Sequence, residues 1–246
     1  MPAKRYKAPQ KKKLNIGKII MFILLLSVFL YSTITLILWY FNNKKTDQLT
    51  QNIIADAVSF TTNEQKEESY QINFEKLKQI NSDTVAWIKI DQTSINYPVV
   101  QGNDNEYYLK KDINRKNNQC GWIYMDYRNN PQLTDQNTFL FGHNIKAGIM
   151  FADLQKIYQG KLGNQVIITM YLPNKQQNYQ VFSVYMEEPK DESIQTDVTD
   201  PNFAYQMQQK SKIKFEVSVN SNDKILTLST CDNSGKKRIL VHAKQQ

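Results

Sequence analysis

The chain has 246 residues, 41% of them hydrophobic, and a formal net charge of +8, an ordinary composition for one sizeable folded domain with additional segments. Seven positive charges and no acidic residue lie in residues 1–18, so the basic balance does not indicate a nucleic-acid-binding surface, and we expect no nucleic-acid partner. Two cysteines exclude a disulfide framework; one disulfide remains possible, but we expect two free thiols, with Cys120 small and buried.

An uncharged, apolar segment runs from Ile19 to Phe41 and is long enough to span a bilayer. It ends in Trp39, Tyr40 and Phe41, which are typical of a membrane interface. A cleaved signal peptide would have a shorter apolar part and would end in small residues. We therefore interpret residues 19–41 as an uncleaved transmembrane signal anchor.

The charges that flank this segment predict its orientation. Residues 1–18 carry seven cations, whereas only Lys44 and Lys45 follow the segment closely. The positive-inside rule then makes residues 1–18 a cytoplasmic basic tail and places the rest of the chain outside the cell. The predicted localisation is the cell membrane, with a single pass and an extracellular folded domain.

Residues 42–71 are polar and compatible with a helix, and we interpret them as a stalk or packing helix that leads from the membrane. Apolar residues then recur at helical spacing in Phe74–Ile80, and the polar residues 81–83 end this helix. The extracellular domain is predicted to occupy residues 72–246.

Short β-type runs with turn residues between them fill most of this domain. The predicted strands are residues 85–90, 95–100, 122–125, 138–141, 166–171, 179–185, 213–219, 225–230 and 239–241. This pattern indicates a mainly β fold, a barrel or sandwich with helical insertions.

One insertion, residues 187–212, is acidic and then helical. Asp200 and Pro201 are predicted as its N-cap and first helical residue, with Phe203 and Met207 on one face. A long structured connection of this kind often shapes a substrate groove.

The last two predicted strands bring reactive residues together. In a strand over 225–230, Cys231 points away from the face that carries the leucines. Residues 232–237 contain turn formers, so a hairpin would place Arg238 beside Cys231, with both side chains directed away from the core.

These residue types suit acyl transfer. The Cys231 thiolate would attack an amide carbonyl to give a thioester, which a nearby cation favours; the alternative is a buried structural thiol. His143 could give a proton to a leaving amine and later accept one, although this segment alone more commonly indicates a solvated loop histidine. Arg238 could hold an oxyanion, although a surface arginine without a specific contact is commoner. His242 lies about 13 Å along an extended strand from Arg238 and is not expected to be catalytic.

The histidines and cysteines have no metal-ligand spacing, and the glycines form no phosphate-binding loop. We therefore expect no metal and no cofactor.

These motifs resemble those of the sortases, class B in particular. TLSTC at residues 227–231 is similar to the family signature TLxTC, and FGHN at 141–144 is similar to its histidine segment. Residues 86–109 and 121–129 also look like class B, and the resemblance covers roughly residues 72–243. The chain departs from the family at Phe141, where a tyrosine is common, and in a Cys231 to Arg238 turn that is shorter than in some relatives.

The resemblance implies an eight-stranded β-barrel with amino-terminal helices and a helix in the long loop before the cysteine strand. It implies that Cys231 cleaves a sorting signal after its Thr, that His143 acts as acid and then base, and that Arg238 positions the carbonyl or stabilises the oxyanion. The substrate contacts that it implies are Asn105, Leu109, Phe141, Ser229 and, through its backbone, Thr230.

The leading hypothesis is a membrane-anchored cysteine transpeptidase of a Gram-positive bacterium. Its partners would be surface proteins with a carboxy-terminal sorting signal and an amine of a peptidoglycan precursor. One alternative is a pilin-polymerising sortase, whose acceptor is a lysine of another subunit. The other is a catalytically silent module that binds peptides and uses its cysteine structurally.

Overall fold

The computed structural model describes residues 16–62, 68–189 and 194–246. The chain divides into two compact units, Met1–Phe41 and Asn42–Gln246. Helix α1 (Ile16–Ala57) contains the predicted anchor and is long and apolar enough to cross a membrane. Most of the predicted basic tail, together with residues 63–67 and residues 190–193 of the predicted insertion, lies outside the described residues.

The predicted stalk over 42–71 is helical only as far as Ala57. Strand β1 (Val58–Thr62) and strand β2 (Glu68–Ile72) then form an antiparallel hairpin. The helical prediction was wrong here because β1 combines β-branched and aromatic residues, which favour strands. Helix α2 (Phe74–Ile80) follows and ends at Asn81, which confirms that prediction.

The remaining elements, in chain order, form a barrel with small additions. The strands are β3 (Thr84–Ile90), β4 (Asn96–Val100), β5 (Tyr124–Met125), β6 (Asn137–Phe141), β7 (Asn144–Ile145), β8 (Ile149–Met150), β9 (Ile167–Leu172), β10 (Lys175–Glu187), β11 (Ile225–Cys231) and β12 (Arg238–Gln245). The helices are α3 (Leu154–Tyr158) and α4 (Phe203–Gln209).

Eight of the described strands close the barrel in the order β10, β12, β11, β6, β5, β4, β3, β9. All neighbours pair antiparallel except β11 with β6 and β4 with β5, which are parallel. The eight-stranded barrel predicted from the resemblance is therefore confirmed. The barrel interior is apolar: Leu140, Leu228 and Val241 form one row across β6, β11 and β12, and each is fully buried.

The connection from β10 to β11 differs from the prediction in two places. Helix α4 has Asn202 as its N-cap, and Asp200 instead accepts a hydrogen bond from the Asn202 backbone N–H (2.8 Å). Phe203 and Met207 are buried, as predicted.

The predicted strand over 213–219 was wrong, since this segment pairs with no described strand. Its side chains alternate because Phe215 and Val217 pack on the core, while the Val217 carbonyl accepts from the Gln208 side chain (2.6 Å). Alternating burial here reflects packing of one side of an extended segment and not a ladder.

The outer face of β11 and β12 is also buried, because this connection covers it. His242 is only 2% exposed there and stacks on Tyr185, with Phe203 edge-on at 6.1 Å. Since the Thr227 hydroxyl donates its proton to Asn137 Oδ1 (2.7 Å), the proton shared with Thr227 over 2.9 Å belongs to His242 Nδ1. His242 is therefore part of the packing and is neutral.

Protonation of His242 predicts a pH-dependent stability. Burial lowers the pKa of His242 to about 3, while the unfolded chain keeps the ordinary value near 6.5. The unfolded state binds the extra proton as pH falls below that value, so stability is lost on acidification, by about 2 kcal/mol between pH 7 and pH 5. Urea unfolding at the two pH values measures this loss.

The half-buried His143 provides the matched control. His143→Gln should keep the loss, and His242→Gln should lose it even if its stability is lower at both pH values. A free energy of unfolding that is equal at pH 7 and pH 5 in the unmodified chain would contradict the assignment.

Candidate active site

Cys231 and Arg238 lie directly opposite each other, one on each side of the turn of the β11–β12 hairpin. Cys231 is exposed, whereas the six preceding residues of β11 are buried. Arg238 is half-buried and begins β12. The predicted adjacency of the thiol and the guanidinium is therefore confirmed, and both thiols are free, with Cys120 buried.

The turn between them is closed by Asp232. The Asp232 N–H donates to the Lys237 carbonyl (2.8 Å), and the carboxylate accepts from the Lys237 N–H (3.0 Å) and from the Ser234 hydroxyl. These hydrogen bonds hold the pKa of Asp232 below its usual value. Gly235 occupies the left-handed region at φ +71°, which the tight turn requires. The turn thereby fixes the register in which Arg238 faces Cys231.

His143 follows β6, which pairs in parallel with β11. Phe141 is the partner of Ser229, so His143 and Cys231 each lie two residues beyond the last pair of this ladder. The Gly142 N–H donates to the Ser229 carbonyl (3.2 Å). The structure thus joins the ends of β6, β11 and β12 at one place.

Asn144, the residue after His143, contacts the Cys231 backbone and the turn that follows it. Its Nδ2 donates to the Cys231 carbonyl (3.0 Å) and lies 3.1 Å from Asn233 Oδ1. A groove of about 470 Å³ opens next to these residues. It is lined by residues of the β7–β8 hairpin, by α3 and by Asn233 of the turn.

The His143 imidazole is held by a backbone carbonyl. Its Nε2 lies 2.9 Å from the Leu109 oxygen, and because a carbonyl only accepts, Nε2 carries the proton in this contact. Nδ1 of the neutral ring is then the basic nitrogen that is left for chemistry. Gly121, at φ +56°, makes this contact possible, since a Cβ there would lie 2.7 Å from the Leu109 oxygen and 3.0 Å from His143 Cδ2.

The residues predicted to contact the substrate differ in how deeply they are buried. Asn105 uses its side chain within the protein, donating to Asp126 (2.8 Å) and accepting from the Tyr127 N–H (3.2 Å). Leu109 is half-buried, and its carbonyl accepts the hydrogen bond from His143. A substrate would have to contact the exposed part of the Leu109 side chain.

Phe141 and Ser229 form a neighbouring pair on the outer face, 7% and 3% exposed. Thr230 has the opposite parity, and its buried hydroxyl has no hydrogen-bond partner among the described residues. The Thr230 side chain is therefore directed away from this face, and the backbone contact expected of Thr230 stays a prediction.

One functional candidate was missed by the sequence analysis. Tyr124 in β5 stacks on Phe141 at 5.2 Å between ring centroids, and Phe141 stacks on Phe139 at 5.1 Å. Burial raises the pKa of Tyr124, and the charge of Arg238 opposes that shift. In the sequence Tyr124 reads as one more apolar strand residue, and only the β5–β6 register shows that it faces the site.

Comparison with known proteins places this geometry in context. The Sortase domain family model matches residues 88–246. Sortase B of Staphylococcus aureus is 38% identical over 187 residues, which are 72% of this chain and 76% of that protein. The crystal structure of Clostridium perfringens sortase B has a TM-score of 0.66 and 35% identity and covers 70% of this chain and 99% of its own. A Staphylococcus aureus sortase B–substrate complex has a TM-score of 0.64 and 37% identity and covers 71% and 84%.

The contact between His143 and Leu109 predicts a distinct NMR signal. The chain has two histidines, and the buried His242 carries its proton on Nδ1, so a slowly exchanging Nε2–H signal belongs to His143. Gly121→Ala should remove this signal because the added Cβ displaces the Leu109 carbonyl. Imidazole ¹H–¹⁵N spectra at neutral pH provide the measurement.

Gly163→Ala is the matched control, because Gly163 also has a positive φ, +76°, but nothing lies within 4 Å of its added Cβ. Loss of the Nε2–H signal in both variants, or in neither, would show that Gly121 does not hold the imidazole in place.

Proposed function

Because this chain belongs to the sortase family and is a cysteine transpeptidase of the sortase B type, we propose that Cys231 is its nucleophile. His143 is the proton donor and acceptor, and Arg238 holds the scissile carbonyl. The observation that supports this assignment is the convergence of three strand ends, where the exposed Cys231 lies opposite Arg238 and beside the end of the strand that leads to His143. The exposure of Cys231 argues against a silent module with a structural cysteine.

Cleavage begins when the Cys231 thiol passes its proton to His143 Nδ1 and the resulting thiolate adds to the carbonyl carbon of the Thr in the sorting signal. The electron pair of the C=O bond moves to oxygen, and the Arg238 N–H groups stabilise this oxyanion. When the carbonyl re-forms, the C–N bond breaks, and His143 gives a proton to the leaving amine. Since Nε2 is bonded to Leu109, this proton moves from Nδ1.

The thioester is then passed to an acceptor amine. The amine nitrogen attacks the thioester carbon, His143 Nδ1 takes a proton from it, and the C–S bond breaks to restore the thiolate. The groove beside Asn144 and Asn233 leaves space for an acceptor on this side of Cys231. The contacts to the sorting signal are assigned to Asn105, Leu109, Phe141, Ser229 and the Thr230 backbone.

The cellular setting is part of the same proposal. Sortases act on sorting-signal substrates, and the long apolar helix α1 is compatible with a single-pass anchor. The proposed organisation is a cytoplasmic tail over residues 1–18, a span over 19–41, a stalk over 42–71 and an extracellular catalytic domain over 72–246. The acceptor is then an amine of a peptidoglycan precursor.

Cys231→Ala should abolish both peptide cleavage after Thr and transfer to an added amine. The melting temperature should change by no more than about 2 °C, because an exposed side chain contributes little to packing. The assay uses the full-length chain in detergent with candidate sorting peptides and an amine acceptor, and mass spectrometry identifies the products.

Cys120→Ala is the matched control. The buried Cys120 thiol donates to Asn43 Oδ1 (3.1 Å), so this variant should lose stability and keep activity. Residual cleavage by Cys231→Ala would reject the nucleophile, and an acceptor profile limited to lysines of another protein subunit would favour the pilin-polymerising alternative.

Arg238→Lys should reduce kcat/KM by about 10² to 10³, because an ammonium cannot present two parallel N–H groups to an oxyanion. Alkylation of Cys231 by a small methanethiosulfonate reagent should continue, since the thiol stays exposed. The exposed Lys236, in the same turn, supplies the comparison, and Lys236→Ala should leave the rate unchanged. Near-normal kcat/KM in Arg238→Lys would remove Arg238 from the mechanism.

A further inference from the structure

The Tyr124 hydroxyl lies on the face of the sheet that carries the proposed catalytic residues. Tyr124 is opposite Phe141 across β5 and β6, and Phe141 is opposite Ser229 across β6 and β11. Paired residues of neighbouring strands point to the same face, and Ser229 shares the parity of Cys231. Tyr124 therefore points to the same side of the sheet as the thiol.

The aromatic stack fixes the direction of this hydroxyl. The Tyr124 and Phe141 rings are stacked at 27° between their planes, and Phe141 stacks in the same way on Phe139. Tyr124 is only 3% exposed, so its ring has little room to change rotamer. A side chain held in this way presents its polar end in one direction.

The Tyr124 hydroxyl has no hydrogen-bond partner among the described residues. The Thr230 hydroxyl is also unpaired but is fully enclosed, whereas the Tyr124 hydroxyl is not. A buried tyrosine usually pairs its hydroxyl, because an unpaired polar group costs free energy. The Tyr124 hydroxyl is therefore available to a hydrogen-bond donor on this face of the sheet.

Arg238 begins β12 on the same face, because it is the cross-strand partner of Cys231. The charge of Arg238 acts on Tyr124 more strongly than that of Asp126 or Cys231. In the part of the chain that the structure describes, Arg238 forms no salt bridge, so its N–H donors are not taken by a carboxylate. An unpaired acceptor and unpaired donors thus share one face of the sheet.

We propose that Tyr124 is a positioning residue for Arg238. Its hydroxyl oxygen accepts one N–H of the guanidinium and directs the remaining N–H groups of that fork toward the carbonyl oxygen held above Cys231. This assignment rests on the proposed role of Arg238 in catalysis. Because the interaction orients donors for an oxyanion, it contributes to the transition state and not to binding of the ground state.

The test compares Tyr124→Phe with the unmodified chain on the Thr-containing sorting peptide that the unmodified chain cleaves. The substitution keeps the ring and its stacking and removes only the oxygen. We expect kcat to fall by about 10- to 100-fold, with KM unchanged within about twofold. An unchanged kcat would overturn the proposal, and so would a raised KM with normal kcat, which would make the hydroxyl a direct substrate-binding group.

Tyr179→Phe is the matched control. Tyr179 is also buried, its hydroxyl donates to Gln177 (3.1 Å), and it pairs with Gln245 at the far end of β12 from Arg238. It should keep full activity. A fall in melting temperature that Tyr124→Phe shows and Tyr179→Phe does not would assign the hydroxyl to folding and overturn the proposal.

Failure of the underlying assignment gives a different result. If Arg238→Lys retains normal kcat/KM, the role of Arg238 is lost whatever Tyr124→Phe does. If Arg238→Lys is impaired and Tyr124→Phe is not, the catalytic site stands and only the Tyr124 proposal fails.

Discussion

The parallel pairing of β6 with β11 is the constraint on which the site depends. These strands are far apart in the chain, and their register sets Phe141 against Ser229, so that β6 leads to His143 at the same end of the barrel where β11 ends in Cys231. A slip of one residue would turn every side chain of β11 to the opposite face and move Leu228 out of the barrel. Leu140 against Leu228 inside, and Thr227 bonded to Asn137 (2.7 Å) outside, oppose that slip on both faces.

Cys231 is exposed although it ends a strand that is otherwise buried. The connection between β10 and β11 packs on the outer face through Phe203 and receives a hydrogen bond from Asn137 to the Gln195 carbonyl (2.7 Å). In the described part of the chain that cover encloses Thr227 and His242, whereas Cys231 is exposed. The same connection thus stabilises the barrel wall.

Local sequence patterns correctly predicted the features that depend on residues close together in the chain. Cys231 and Arg238 are separated by one turn, so strand parity and turn chemistry were sufficient to place them together. His143 depends on a parallel ladder between distant segments, which no local pattern encodes, and its place followed only from the family resemblance. The strand predicted over residues 213–219 was wrong for a related reason. Alternating apolar and polar side chains show that one side of a segment is buried, but a strand also needs a partner strand.

The charge balance of the site follows from which carboxylates are already occupied. Although burial disfavours its charge, hydrogen bonds from Arg128 and Asn105 hold the pKa of Asp126 below its usual value, and Arg128 neutralises it at 2.8 Å. Arg238 forms no ion pair among the described residues, although Glu187 lies opposite it across β10 and β12.

His143 is likewise oriented by the Leu109 carbonyl and not by a carboxylate. A carbonyl fixes the ring and adds only a dipole, so a proton on Nδ1 adds a full positive charge to the site. Arg238 adds a second cation, opposite Cys231 in β11 and with Glu187 of β10 as its other cross-strand neighbour. Positive charge here favours the oxyanion that forms on attack, because that state places negative charge at the same end of β11.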